Sequence, residues 1–418
     1  MEHAKLAVNK LWNRNFSLLV MGQIVSVFGN MVLNFALPLY ILDISGSPAL
    51  FGVVVGLPFV SLLIMSPIGG MMADRLKKQR ILFWLDLAAT VIIVLYMIIS
   101  GMMAAVVPIV VVKLLALNAI QGMYMPTVEA SIPALVPSDK LVTANSAIGV
   151  INALSNLAAP AVAGLLLGRF GLFPILVVSA ACFAITTIMD LLIRIPYKKQ
   201  EAHGSFAQMI KSDMSQAFHF AVKQNPILAK LAVIMFLFIM TIAALILVGL
   251  PVLITQNLGL SMEHVGISKG ISVIGLLVGG VIAGALGERL TLNRVFLPIL
   301  VCCLSIIPIG IVFMLEMPPF TAYVIITAAS TITFAAGQLF QIPVWSYIQR
   351  ITPSELIGKV FALITILPFL ANGLGHLLFG VLFEHFYNLP WLVVFVTVLL
   401  AVIIALYSRR HFNVGDAS

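Results

Sequence analysis

Asp43, Asp86, Lys113 and Glu129 stand inside or at the edges of long apolar runs. An acid or amine in such a setting can take up and release a proton as its surroundings change. Amides accompany them at Asn30, Asn34, Asn118, Gln121, Asn152, Gln338, Gln341 and Asn372, with His376 beside the last. Amides hydrogen-bond without demanding a countercharge, so with nearby aromatics they suit a large, mostly neutral, amphipathic ligand. A third group closes an apolar run: Gly70, Asp74, Arg75, Lys78 and Arg80. A carboxylate beside guanidinium groups can form charge-assisted hydrogen bonds and act as a latch. Each group has a plainer alternative. The amides could join packed helices, Lys113 could snorkel to the interface, His376 could be a hydrogen-bonding group, and Asp86 could pair with the basic loop.

The elements that hold these residues are read from composition. The 418-residue chain is 61% apolar and 9% charged, where a soluble domain keeps roughly a quarter of its residues charged. The apolar residues fall into twelve runs long enough to cross a bilayer as helices. They lie at about 16–42, 50–73, 81–100, 104–125, 141–167, 172–193, 227–255, 265–287, 295–315, 320–346, 357–383 and 391–407. The first is too long, and too interrupted by Gln23, Asn30 and Asn34, to be a cleaved leader. Nearly all lysines and arginines fall in loops of one side, with Lys113, Arg169 and Lys269 as exceptions. The positive-inside rule makes that side, and both termini, cytoplasmic. The formal charge of +8 is thus a topology signal and implies no nucleic-acid partner.

Helical spacing groups the polar positions into stripes. Gln23, Asn30 and Asn34 share one, and Asn145, Asn152 and Asn156 another. Thr331, Phe334, Gln338 and Gln341 form a third, and Thr365, Phe369, Asn372 and His376 a fourth. No nucleophile–base pair, phosphate loop or metal-ligand cluster is present, and Cys182, Cys302 and Cys303 lie in apolar runs. The expectation is therefore no enzyme, no metal and no cofactor.

The charged turn recurs. Gly70, Asp74, Arg75, Leu76 and Arg80 match Gly284, Glu288, Arg289, Leu290 and Arg294 at one constant offset of about half the chain. Pro137-Ser138-Asp139 likewise matches Pro353-Ser354-Glu355, and Gly164 matches Gly380. Such a repeat predicts an all-α membrane protein of twelve transmembrane helices. Its two six-helix halves are related by a pseudo-two-fold along the membrane normal, with a midplane site between them. The predicted divisions are 1–195, a cytoplasmic linker at 196–226, and 227–418. The linker contains a capping-box pattern, Ser205-Phe206-Ala207-Gln208, then Phe206, Ile210, Phe218 and Val222 at helical spacing. It reads as an amphipathic helix on the membrane surface.

Gly70-x-x-x-Asp74-Arg75-x-x-Lys78-x-Arg80 resembles the loop motif of the major facilitator superfamily, with Lys77 where glycine is usual. The resemblance implies the major facilitator fold and a cytoplasmic latch that includes Glu288 and Arg289 in the second half. Gly149 and Ala159-Pro160-Ala161-Val162-Ala163-Gly164 resemble the antiporter motif, with alanines replacing two glycines. The implied role of Gly149, Pro160 and Gly164 is close packing that shuts the outer side. Asn118-Ala119-Ile120-Gln121-Gly122 is similar to a motif that usually begins with arginine, and Asn30 stands where relatives often carry an acid. Gly46-Ser47 and Ile348–Phe361 resemble the macrolide-efflux branch. The branch implies a monomeric secondary transporter in the cell (inner) membrane of a bacterium, exporting small amphipathic molecules by proton antiport. A lipid or lysolipid flippase or a siderophore exporter on the same fold is the alternative. The coupling candidates are then Asp43, Asp86, Lys113 and Glu129.

Overall fold

The computed structural model describes residues 11–100, 106–137, 140–196, 214–353 and 356–412. Among the described residues all regular structure is helical, and twelve helical spans are long and apolar enough to cross a membrane. The helices are α1 (Arg14–Ser45), α2 (Pro48–Gly56), α3 (Pro58–Arg75), α4 (Lys78–Ser100), α5 (Val106–Leu135), α6 (Leu141–Phe170) and α7 (Leu172–Leu192). After the linker come α8 (Pro226–Phe238), α9 (Ala244–Val252), α10 (Met262–Leu286), α11 (Phe296–Met314), α12 (Pro319–Ile351), α13 (Ile357–His385) and α14 (Pro390–Phe412).

The differences from the expected runs have local causes. The second run divides into α2 and α3 because Pro58 cannot donate a backbone hydrogen bond, and Leu57 falls between the two helices. The fourth and tenth runs continue beyond their expected ends at Met125 and Ser346, to Leu135 and Ile351. Pro126, Pro133 and Pro343 sit inside them without ending them. The seventh run carries two wide turns, Ile239–Ala243 and Leu253–Asn257, which join α8 to α9 and end the span. The second follows Pro251, whose missing N–H interrupts the regular ladder.

Two compact units result. One contains Met1–Ile44 and Leu57–Ala202, and the other contains Ser45–Gly56 and His203–Ser418. In the first, α3 packs along α5, and α4 packs along both α7 and α5. α1 reaches α7 through glycine: a Cβ at Gly29 would lie 2.7 Å from Cys182 Cβ, and Ser179 Oγ donates to the Gly29 carbonyl at 3.1 Å. In the second, α10 and α11 pack on α12, α11 packs on α14, and α13 receives α2, α8 and α9. The α2–α13 seam is built on glycine, since a Cβ at Gly52 would lie 3.0 Å from Gly380 Cα and one at Gly56 2.7 Å from the Gly373 carbonyl oxygen. Ser47 caps α2 by accepting the Leu50 N–H at 3.1 Å, and Glu384 of α13 accepts both the Ser47 hydroxyl and the Ala49 N–H. A carboxylate at a helix N-terminus also meets the positive end of its dipole.

The described part of the linker is helical at 214–218 and continues as wide turns over His219–Gln224. Ala217, Phe220 and Ala221 are buried, while Phe218 and Val222 are exposed together on the outward face. Lys359 Nζ of α13 donates to Gln216 Oε1 at 2.9 Å. The expected helix start at Ser205–Gln208, with Phe206 and Ile210, lies outside the described residues, as do Ser138–Asp139 and Ser354–Glu355 of the second repeat.

Candidate functional site

In the first unit the amides of two helices form a continuous ladder. Asn34 Nδ2 donates to Asn30 Oδ1 at 2.9 Å on α1. Asn118 Nδ2 of α5 donates to Asn34 Oδ1 at 3.0 Å and to the Leu114 carbonyl at 2.9 Å. Asn30 and Asn118 are buried, whereas Asn34 and Gln121 are half-buried and keep a face open. The ladder exists because Asn30 and Asn34 are one helical turn apart and Asn118 meets them across the packing seam. Gln23, on the same stripe of α1, is fully buried, and its Nε2 donates to Tyr124 Oη at 3.0 Å. It therefore belongs to the packed interior and not to an open face, which separates it from its expected stripe.

The α6 stripe is looser. Asn145 and Asn156 are exposed and donate to carbonyls of their own helix, Leu141 and Asn152, while Asn152 is half-buried. Pro160 and Gly164 are buried, as close packing requires. Gly149 is exposed, and a Cβ there would meet nothing within 4 Å.

The ionisable candidates separate by burial. Asp43 and Glu129 are exposed. Lys113 is 3% exposed and does not snorkel: its Nζ lies 3.6 Å from the centroid of the Tyr96 ring and has no hydrogen-bond partner among the described residues. The reason is geometric, since the amine folds onto an aromatic face of α4 before it can reach the helix end. Asp86 is 1% exposed and sits in the packed stripe Leu82, Asp86, Ala89 and Ile93 of α4. It faces α7 and not the basic loop. Opposite it stands Asp190, in the buried stripe Phe183, Thr186, Thr187 and Asp190 of α7. Asp190 is absent from the expected candidates. The available signal was an acid within the sixth apolar run.

In the second unit Lys269 of α10 lies over the Phe334 ring of α12, 4.6 Å from its centroid. His376 of α13 is buried close to Lys269 and to the backbone of Val55 in α2. Gln338, Gln341 and Asn372 are half-buried, and Asn372 Nδ2 donates to the Pro368 carbonyl at 2.9 Å. Trp345 stacks on Phe361 with centroids 5.1 Å apart. No group of three metal-ligating side chains occurs among the described residues.

The two copies of the charged turn differ in backbone. In the first, α3 runs through Asp74 to Arg75, which is exposed, as is Arg80, while Lys78 is half-buried. In the second, Gly287 adopts φ 48°, and a tight turn Gly287–Arg289 follows with Arg289 exposed. Alanine occupies the equivalent position in the first copy, Ala73, and the left-handed region is open to glycine and not to alanine without strain. The side chains of Asp74 and Glu288 lie outside the described residues.

The family model described as Major Facilitator Superfamily matches residues 19–376. The chain belongs to that superfamily. Among curated proteins it is 24% identical to macrolide efflux protein A of Streptococcus pyogenes over 378 residues, covering 88% of this chain and 89% of that protein. It is 26% identical to multidrug resistance protein MdtG of Serratia proteamaculans over 319 residues, 72% of each chain. Among solved structures, the nucleoside transporter NupG superimposes with a TM-score of 0.74 at 15% identity, covering 96% of this chain and 99% of that one. A bacterial homologue of the human lysosomal transporter Spinster gives 0.72 at 15% identity, covering 94% and 95%. The structural likenesses establish the fold. As a member of the Major Facilitator Superfamily, the chain is a multi-pass membrane transporter of small molecules.

Proposed function

We propose that this transporter exports small amphipathic molecules of the macrolide or multidrug type by alternating access, driven by proton antiport. The observation that carries the reading is the amide ladder Asn30–Asn34–Asn118, at positions where the motif resemblance would lead one to expect an acid and an arginine. A polar surface without net charge suits a bulky, largely neutral ligand with scattered oxygen acceptors. Gln338, Gln341 and Asn372 offer the same chemistry in the second unit, and the names of the curated relatives agree with efflux. The protein works as a monomer in the bacterial cell membrane with both termini cytoplasmic. Residues 1–195 and 227–418 supply its two bundles, except that Ser45–Gly56 packs with the second, and 196–226 links them. Asp74, Arg75, Lys78 and Arg80, with Glu288 and Arg289, latch the cytoplasmic side, and Pro160 and Gly164 pack the outer one.

The test is expression in an efflux-deficient host, followed by macrolide susceptibility and accumulation of labelled drug with and without a protonophore. Lower accumulation that the protonophore abolishes supports the reading. Unchanged accumulation of macrolides and other amphipathic drugs removes it.

A further inference from the structure

Five buried polar groups converge in the first unit, and the ladder uses none of them. Asp86 of α4, Asp190 of α7, Tyr124 of α5, and Gln23 and Ser26 of α1 share one pocket of the bundle, with Thr187 one turn from Asp190. The carboxyl groups of Asp86 and Asp190 face each other closely enough to interact, and Ser26 lies beside Asp86. Tyr124 Oη lies within electrostatic reach of both acids and accepts from Gln23 Nε2. Among the described residues, neither oxygen of Asp86, nor Oδ2 of Asp190, nor Oε1 of Gln23 has a partner of hydrogen-bonding geometry. All four of those atoms are acceptors.

Electrostatics sharpens the point. The charged and titratable groups acting on Asp86 are Asp190 from α7 and Tyr124 from α5, with the neutral Ser26 and Gln23 from α1. None of these is a base. Two like charges facing each other in an interior of low polarity repel, and no described cation offsets them. The hydroxyls of Ser26 and Tyr124 can donate, yet no described donor reaches Asp86 in hydrogen-bonding geometry, and the paired acids keep no offsetting charge. One proton bound to one acid and shared with the other removes a charge and satisfies two of the orphaned oxygens together.

We propose that Asp86 and Asp190 form a carboxyl pair that holds one exchangeable proton, and that this pair is the proton-binding site of the transporter. The proton leaves one carboxyl oxygen for water and leaves a carboxylate behind, and reprotonation reverses the step. The exit is short. Asp190 is in the last turn of α7, and Gln79 in the first turn of α4 donates to the carbonyls of Asp190 and Leu191 at 3.1 and 3.3 Å. The pair therefore lies toward the bundle end that carries the basic loop. Its role in transport rests on the exporter reading, but the proton site itself does not.

Infrared difference spectroscopy on purified, intact protein tests the site directly. At neutral pH the wild type should show the C=O stretch of a protonated carboxyl group that titrates as the pH rises. The band should be absent from Asp86→Asn/Asp190→Asn, whose two amides can hydrogen-bond to each other and preserve the fold. Each single asparagine variant, folded by size-exclusion profile, should alter the band and lose coupling. In vesicles, the accumulation ratio that one proton can support, about 50-fold at 100 mV, should then fall to near one. A wild type without the band overturns the proposal, and so does a band unchanged in the double variant. A sodium-dependent rise in thermal stability without the band would reassign the pocket to a metal ion and overturn it as well. A titrating band in a protein that moves no drug keeps the site and rejects the exporter reading. Protonophore-sensitive efflux without the band does the reverse.

Discussion

Asn118→Ala is the sharpest probe of the ladder. The substitution removes the donor that holds Asn34 Oδ1 at 3.0 Å and leaves that oxygen half-buried without its partner. Hydrogen bonds between membrane helices measured by double-mutant cycles average about 0.6 kcal/mol, and a neutral hydrogen bond in a protein is worth about 1 kcal/mol net. Losing this one should weaken drug binding by about 3- to 5-fold. Asn34→Ala removes both ladder bonds, to Asn30 and from Asn118, and should cost about 1–2 kcal/mol, or roughly 5- to 30-fold. Because the two side chains share a bond, the double variant should be less impaired than the product of the singles, with a coupling energy of about 0.6–1 kcal/mol. Equilibrium binding of a fluorescent macrolide to purified protein measures this, with thermal unfolding followed in parallel. Maximal transport rates should change little. If both single variants lower the unfolding midpoint yet bind drug as tightly as the wild type, the ladder only fastens α1 to α5 and the cavity reasoning is wrong.

Other consequences follow from single contacts. Gly29→Val forces side-chain atoms into the space 2.7 Å from Cys182 Cβ, so it should destabilise the first unit by about 1–3 kcal/mol, visible as a lower yield of monodisperse protein. A normal yield would mean that α1 and α7 can separate without loss. Lys113→Met replaces a buried cation that lies over the Tyr96 ring; a charge at that depth costs about 3 kcal/mol, so the thermal midpoint should hold or rise. A marked drop would show that the ring contact outweighs the cost of burial. Asp74→Asn should insert normally and transport poorly, as judged by drug accumulation at matched expression. Full activity would reduce the charged turn to a topological anchor. Gly287→Ala should strain the second turn by roughly 1 kcal/mol through its φ of 48°, read as a lower unfolding midpoint, while Ala73→Gly should not.

The sequence alone determined that this chain lives in a bilayer, how many times it crosses, which ends are basic and where the repeat lies. It could do so because hydrocarbon imposes a length and an apolar content on every span, and these demands are local. It also placed Asn30 and Asn34 on one face, because one helical turn separates them. It could not choose among partners across helices. The hydrophobic faces of these spans are wide, so periodicity leaves the rotation of each helix open, and Asp86 could have turned toward the basic loop. Only packing against α7 put it opposite Asp190. Only packing brought Lys113 onto Tyr96 and not to the interface, and only packing withdrew Gln23 from the stripe it shares with Asn30. The same holds at Leu57–Pro58, inside a run that reads as continuous, where the glycine seam with α13 decided that Ser45–Gly56 joins the second unit. In lipid, apolar burial says little about which helix meets which, so small residues and polar pairs make those choices.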